Sequence, residues 1–214
     1  MRSDKKMFTL YAVTDRAWLG EHSLAADVES AIRGGATCVQ LREKNLPADE
    51  FLAEAKELSA LCHKYHVPLI INDSVEIALA ANADGVHVGA SDMTPAEVRR
   101  IAGDDFIIGA SARTVEDAVA AVKHGADYLG VGAMFPTSTK TDTRPVSADL
   151  LRRICESVRV PVVAIGGINK HNIKSLAGTG IAGVALVSAI FAADDIESEC
   201  RELFRLSDEI ASNK

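Results

Sequence analysis

Eight short apolar runs recur along the chain, and no other feature limits its fold so strongly. They read FTLYAVT (8–14), TCVQLR (37–42), PLIIN (68–72), GVHVG (85–89), FIIGAS (106–111), YLGVGA (128–133), PVVAIGG (161–167) and GVALVS (183–188). Each is continuously apolar rather than alternating, as a strand covered on both faces must be. Helical patterns lie between them. PADEFLAEAKELSALCHKYH (47–66) opens on Pro47 with acids in its first turn, and TPAEVRRIAG, TVEDAVAAVKHG and SADLLRRICESV follow further on. Gly34, Gly103, Gly125 and Gly178 stand where glycine closes a helix. Eight strand–helix units of about 27 residues predict a (β/α)8 TIM barrel, one α/β domain spanning 1–214. The competitor is an open doubly wound sheet. It usually carries a glycine fingerprint after its first strand, and here that place is held by Thr14-Asp15-Arg16.

The net charge of −7 argues against general nucleic-acid binding and against docking on anionic membranes. An anionic small molecule is still admissible, because a basic pocket can sit on an acidic protein. Cys38, Cys62, Cys155 and Cys200 are scattered, with no C-x-x-C pair, and are expected to be inert thiols rather than disulfides or zinc ligands. The first residues, MRSDKKMFTLYAV, hold no long apolar segment, so neither a signal peptide nor a membrane span is expected, and a cytoplasmic location fits. Oligomeric state is not legible.

In such a barrel the site is built from the loops after the strand C-termini, and the unusual polar residues fall there. Gln40, Arg42 and Lys44 follow the second strand, Asn72 and Asp73 the third, and Asp92 the fourth. Ser111 ends the fifth strand. GVGAMFPTSTKTDTRP brings Thr137, Thr139 and Lys140 after the sixth. Gly166-Gly167 and Val187-Ser188 follow the seventh and eighth. Period-two alternation puts Gln40, Arg42 and Lys44 on one side, a cluster suited to a polyphosphate. Arg42 and Glu43 could equally be a surface ion pair. Asp73 and Asp92 sit on neighbouring loops and could share a Mg²⁺ with substrate phosphates. Helix capping is the alternative for Asn72-Asp73. The glycine pair and Ser188 suit a phosphate held by backbone N–H groups, against a plain tight turn and a helix cap. The hydroxyls and Lys140 of the sixth loop would then grip anionic oxygens, unless the loop is simply solvated. His87, inside a strand, reads as a satisfied core histidine.

VQLREK, LIINDS, DGVHVGASD, IIGAS, DYLGVGAMFPTSTK, PVVAIGGIN and VALVSAI, in this order, resemble the thiamine phosphate synthase family over nearly the whole chain. The resemblance implies a (β/α)8 barrel that joins 4-amino-5-hydroxymethyl-2-methylpyrimidine diphosphate to 4-methyl-5-(2-phosphoethyl)thiazole with Mg²⁺, releasing pyrophosphate. It implies that Gln40, Arg42, Lys44 and Asn72 hold the pyrimidine diphosphate and that Asp73 and Asp92 bind the metal. Ser111 would contact the pyrimidine or its leaving group. Thr137, Thr139, Gly167, Val187 and Ser188 would hold the thiazole phosphate, and Lys140 the departing diphosphate. Lys140, Arg42 and Ser111 are thus the implied catalytic set. Two places depart from the family pattern: Ser74 stands where arginine is frequent, and Gly89-Ala90-Ser91 precedes Asp92. A loose transition state needs cations on the leaving group and a dry, positioned pocket rather than a protein nucleophile. The rival readings are a thiazole tautomerase, which needs a general acid/base, and a non-catalytic phosphate-ligand-binding barrel.

Overall fold

Eight parallel strands hydrogen-bond in sequence order and the last pairs with the first, so the sheet has no edge. The computed structural model describes residues 4–19, 22–137 and 145–212. The strands are β1 (Leu10–Val13), β2 (Cys38–Leu41), β3 (Leu69–Asn72), β4 (Gly85–Val88), β5 (Ile107–Ala112), β6 (Tyr128–Gly132), β7 (Val162–Ile165) and β8 (Gly183–Leu186). Each lies in the run expected for it, with β5 reaching one residue further. The helices are α1 (Leu24–Arg33), α2 (Ala48–Lys64), α3 (Val75–Ala80), α4 (Pro95–Ala102), α5 (Val115–Lys123), α6 (Ala148–Ser157), α7 (Ser188–Phe191) and α8 (Ile196–Ser212). None among the described residues is long and apolar enough to cross a membrane.

Local chemistry sets the helix boundaries. Ser23, Thr94, Thr114 and Ser147 each accept the N–H three residues on, and Thr94 with Glu97 and Thr114 with Asp117 form reciprocal capping boxes. The expected unit fails after β7, where only a four-residue 3₁₀ turn, Ile173–Leu176, is present. There the Asn169 and Asn172 side chains accept backbone N–H bonds, an alternative to helix formation. Gly34 is the C-cap of α1, as expected, its N–H donating to the Ser30 carbonyl; its φ is an ordinary −75°, and the left-handed position falls on Gly35, at φ 108°. Gly34 also permits close packing, since a Cβ there would lie 2.4 Å from the Glu197 carbonyl oxygen on α8. Gly178 closes the 3₁₀ turn's loop at φ 73° rather than an α-helix.

The apolar residues divide into two shells. Val28, Leu41, Leu58, Ile71, Leu129 and Leu203 fill the space between sheet and helices. Phe8, Tyr11, Cys38, Ile70, Tyr128 and Val163 fill the barrel itself. The cysteines are all free. Burial pushes the Cys62, Cys155 and Cys200 thiols up to about 12, so they stay protonated and inert, as expected.

Polar contacts close both ends. At the bottom, Leu69 N–H donates to Asp84 Oδ2 while Asp84 N–H donates to the Leu69 carbonyl. Ile108 and Asp127 repeat the same reciprocal pair two strands on. Arg99 on α4 adds a 2.6 Å ion pair to Asp127 and donates to the carbonyls of Gly103, Phe106 and Gly125. At the top, Arg16 bridges Glu43, just past β2, to Glu54 on α2. The Glu43 side chain is only 5 % exposed. Burial first, and the Glu54 carboxylate next to it, raise its pKa from 4.5 to about 7, against the pull of Arg16.

Two outcomes follow from these closures. Asp127→Ala leaves Arg99 without its carboxylate and Ile108 N–H without its acceptor, and should cost about 2–4 kcal/mol. Calorimetry should show a Tm fall of roughly 4–16 °C for a chain of this size, and a change within about 1 °C would contradict the stitching role. For Glu43 the folded pKa lies above the unfolded one, so the native state holds more protons between them. Stability should therefore be fullest below about pH 4.5 and decline as pH rises through about 7. The Tm difference between wild type and Glu43→Gln should move against the wild type over that window, and parallel pH curves would refute it.

Candidate active site

All eight strands contribute lining to one cavity of ≈ 170 Å³ at the C-terminal end of the barrel. Gln40, Arg42, Asn72 and Ser111 line it on one side, and Thr137, Gly167, Val187 and Ser188 on the other. Candidate residues from six of the eight strand ends thus meet at one place.

The β2 loop is built to present Arg42. The strand stops at Leu41, but Arg42 N–H still donates to Thr14 Oγ1 at 3.0 Å, carrying the edge one residue further. Its guanidinium lies 3.7 Å from Asp15 and is one-fifth exposed. The alternative of an Arg42–Glu43 ion pair fails, because Glu43 turns outward to Arg16 at 3.0 Å. Lys44 is half exposed, lies outside the cavity lining, and donates to Asp73 Oδ2 at 2.8 Å. The side shared by Gln40 and Arg42 therefore does not extend to Lys44, because the strand has ended.

Asn72 is buried at the end of β3 and faces the cavity. Asp73 has φ 65°, a left-handed conformation that aspartate and asparagine tolerate better than most residues. That turn lets its N–H donate to the His87 carbonyl at 2.9 Å and puts its carboxylate on the rim. Capping does not explain the Asn-Asp pair. Ser74 caps α3, its Oγ accepting from Ile77 N–H, so the position that departs from the family pattern has a local role. Asp92 Oδ2 accepts from Gly89 N–H at 2.7 Å and is likewise on the rim, outside the cavity lining. Among the described residues no group of three or more acidic, His or Cys side chains could hold a metal. The pair Asp73 and Asp92 is below that number.

On the opposite side, Gly166 and Gly167 have φ 97° and 67°. A Cβ at Gly166 would lie 2.6 Å from Ala133 Cβ, and one at Gly167 would lie 2.5 Å from the Pro136 carbonyl oxygen. The pair is needed both for its conformation and for the close approach of the segment leading to Thr137. Phe135 N–H donates to the Gly166 carbonyl, tying the two loops together. Ser188 is the first residue of α7 and Val187 precedes it as N-cap, with no side-chain cap, so Ser188 does not cap the helix. Thr139 and Lys140 lie outside the described residues.

Four polar residues of the cavity lining escaped sequence reasoning as site residues: Tyr11, His87, Tyr128 and Arg113. His87 is satisfied, as expected, with Nδ1 3.0 Å from Tyr128 Oη and Nε2 3.0 Å from Ser111 Oγ. It is also a wall of the cavity. The signal was present as glycines opposite bulk. A Cβ at Gly109 would lie 2.2 Å from Tyr128 Cζ, and one at Gly130 would lie 3.0 Å from His87 Cε1. Interior positions of β5 and β6 are empty so that the two rings can enter.

The arrangement offers a cation and an amide at one end and left-handed glycines with a helix start at the other, around a partly apolar floor. Such a cavity can hold a flat ring between two anionic groups. A family model described as thiamine monophosphate synthase matches residues 10–190. Thiamine-phosphate synthase of Clostridium tetani is 50 % identical over 195 residues, 91 % of this chain and 93 % of the relative. That of Ruminiclostridium cellulolyticum is 51 % identical over 199 residues, 93 % of this chain and 95 % of the relative. The solved thiamine phosphate pyrophosphorylase of Pyrococcus furiosus superposes with a TM-score of 0.89 at 41 % identity, covering 96 % of this chain and 98 % of that one. With the rim loops all inside the matched region, the chain belongs to the thiamine monophosphate synthase family.

Proposed function

We propose that the cavity joins 4-amino-5-hydroxymethyl-2-methylpyrimidine diphosphate to 4-methyl-5-(2-phosphoethyl)thiazole, giving thiamine phosphate and pyrophosphate. The carrying observation is identity of about half over more than nine-tenths of the chain to enzymes named for that product. The geometry supports it, because one cavity has a cationic end and a glycine-rich end. The bond from the pyrimidine methylene to diphosphate breaks as the thiazole nitrogen forms its bond there, and no protein nucleophile is required.

Arg42 would meet the diphosphate from inside the cavity and Lys44 from the rim beside Asp73, with Gln40, Asn72 and Ser111 against the pyrimidine. Backbone N–H groups at Gly167 and Ser188 receive the thiazole phosphate, with Val187 and Thr137 beside it. Thr139 and Lys140 complete the sixth loop, Lys140 being assigned to the leaving group on sequence alone. Mg²⁺ fits Asp73 and Asp92 by donor chemistry, since the ion takes one or two carboxylates plus substrate phosphates and waters. When bound it would add positive charge where the diphosphate departs. The chain's own residues hold the rest of the charge in place. Lys44 keeps a cation 2.8 Å from Asp73, and Arg16 holds the Glu43 carboxylate at 3.0 Å. Fixed charges that need no rearrangement are the efficient kind in a dry site. A tautomerase would need an available acid/base. His87, the one imidazole lining the cavity among the described residues, is engaged by Tyr128 and Ser111.

The direct test is to incubate the protein with both substrates and Mg²⁺ and to follow thiamine phosphate and pyrophosphate. Equal yields of the two are expected. Isomerised thiazole with no pyrophosphate would favour the tautomerase, and binding without product a non-catalytic barrel.

Asp73→Asn and Asp92→Asn each remove one charge and keep the shape, and asparagine suits the left-handed φ at position 73. Both variants should need about tenfold or more Mg²⁺ for half-maximal turnover, a change equivalent to about 1.4 kcal/mol in metal affinity. Three superimposable Mg²⁺ titrations would remove these carboxylates from the metal site. Lys140→Ala should slow the single-turnover rate more than it weakens binding of the thiazole phosphate, measured by isothermal titration. An unchanged single-turnover rate would rule out its leaving-group role.

A further inference from the structure

A continuous row of hydrogen bonds crosses the barrel beneath the cavity. Gln40 Nε2 donates to Tyr11 Oη at 2.8 Å. Tyr11 Oη meets Tyr128 Oη at 2.8 Å. Tyr128 Oη meets His87 Nδ1 at 3.0 Å, and His87 Nε2 meets Ser111 Oγ at 3.0 Å. The row visits β2, β1, β6, β4 and β5, and both its ends line the cavity. Gly109 makes the room for the Tyr128 ring and Gly130 for the His87 ring.

Each link has one proton to place, so the links are not independent. Tyr11 accepts from Gln40 and gives its own proton to Tyr128. The Cys38 thiol is also near Tyr11, but sulfur is a weak acceptor beside an oxygen at 2.8 Å. Tyr128 then gives its proton to His87 Nδ1. A neutral imidazole so engaged carries its proton on Nε2 and donates to Ser111 Oγ. The Ser111 hydroxyl proton is left for the cavity, as is the Gln40 carbonyl oxygen. Both phenols are fully buried, and burial raises each well above its ordinary value, so both keep their protons. Reversal would require every link to turn over together.

We infer that Gln40, Tyr11, Tyr128, His87 and Ser111 form one polarised hydrogen-bond row that makes the cavity present an acceptor at Gln40 and a donor at Ser111, selecting a 4-aminopyrimidine over its 4-oxo analogue. This rests on the proposed function and deepens it. An exocyclic amino group donates to the Gln40 oxygen and a ring nitrogen accepts from Ser111. A 4-oxo group would set oxygen against oxygen at Gln40, and a site with a committed hydrogen-bond partner rejects the mismatched analogue strongly. Tyr11, Tyr128 and His87 are positioning residues here, acting through the two ends.

The test has two arms. In the first, ¹⁵N-histidine NMR of the full chain without substrate, with His87 identified by comparison with His87→Gln, reads its tautomer. The Nε2–H form is expected in the wild type, and a shift toward Nδ1–H in Tyr128→Phe, which loses the Nδ1 donor but keeps the ring. In the second, kcat/KM is measured for the amino and oxo pyrimidine diphosphates. Tyr128→Phe and Tyr11→Phe should each reduce the preference for the amino substrate by about tenfold or more, mainly through KM. A wild-type Nδ1–H tautomer, or an unchanged preference in whichever phenylalanine variant folds, overturns the inference. Failure of the wild type to form thiamine phosphate would instead overturn the proposed function, together with the substrate half of this inference, while the tautomer still decides the row's polarity.

Discussion

The 2.8 Å contact between the Tyr11 and Tyr128 hydroxyls joins the two halves of the barrel interior. Around it the apolar filling ends and the polar floor begins. Phe8 stacks against Tyr128 from below, at 4.3 Å between centroids, and Gln40 and His87 reach the two hydroxyls from above. A phenol is the side chain suited to such a boundary, apolar along its body and hydrogen-bonding at its tip. Without partners, two buried hydroxyls would each cost on the order of 1–3 kcal/mol. Because each satisfies the other, the barrel can end its core abruptly and open a cavity directly above it.

Closure of the sheet carries that arrangement to the rim. In a barrel every strand end delivers its last inward residue to the same circle. Gln40, Asn72, Ser111 and Ile165 therefore converge although they are far apart in the chain. The reciprocal bonds of Asp84 and Asp127 hold the far end in register, so the polar end inherits its geometry from contacts that never touch it. The two ends have separate chemistries: carboxylates paired with backbone amides below, cations and glycines above.

The strands, the barrel and the location of the site were legible because they depend on pattern. Continuous apolar runs and the polar residues that follow them are local features, and barrel topology converts them to a circle. What escaped detection depends on pairs. Gly109 reads as a weak point in a strand until Tyr128 is seen to occupy its side-chain space. Lys44 shared the period of Gln40 and Arg42, but the strand ended at Leu41 and Asp73 drew the ammonium away. Helix capping was an open alternative for Asn72-Asp73 because both residue types cap helices, and only the structure shows that Ser74 beside them is the capping residue. The missing helix after β7 was hidden in Asn169 and Asn172, whose side chains compete for the backbone.

The space shared by Gly109 and Tyr128 has an evolutionary consequence. A methyl group at position 109 would collide with the tyrosine ring at 2.2 Å. A small residue at 128 with glycine at 109 would leave a void with walls on both strands, and such voids destabilise in proportion to their volume. Neither position can drift by single steps without a loss of fitness, so descendants of this chain should change the two sites together or not at all. A lineage that exchanged them would inherit a different floor, and with it a route to a different ring.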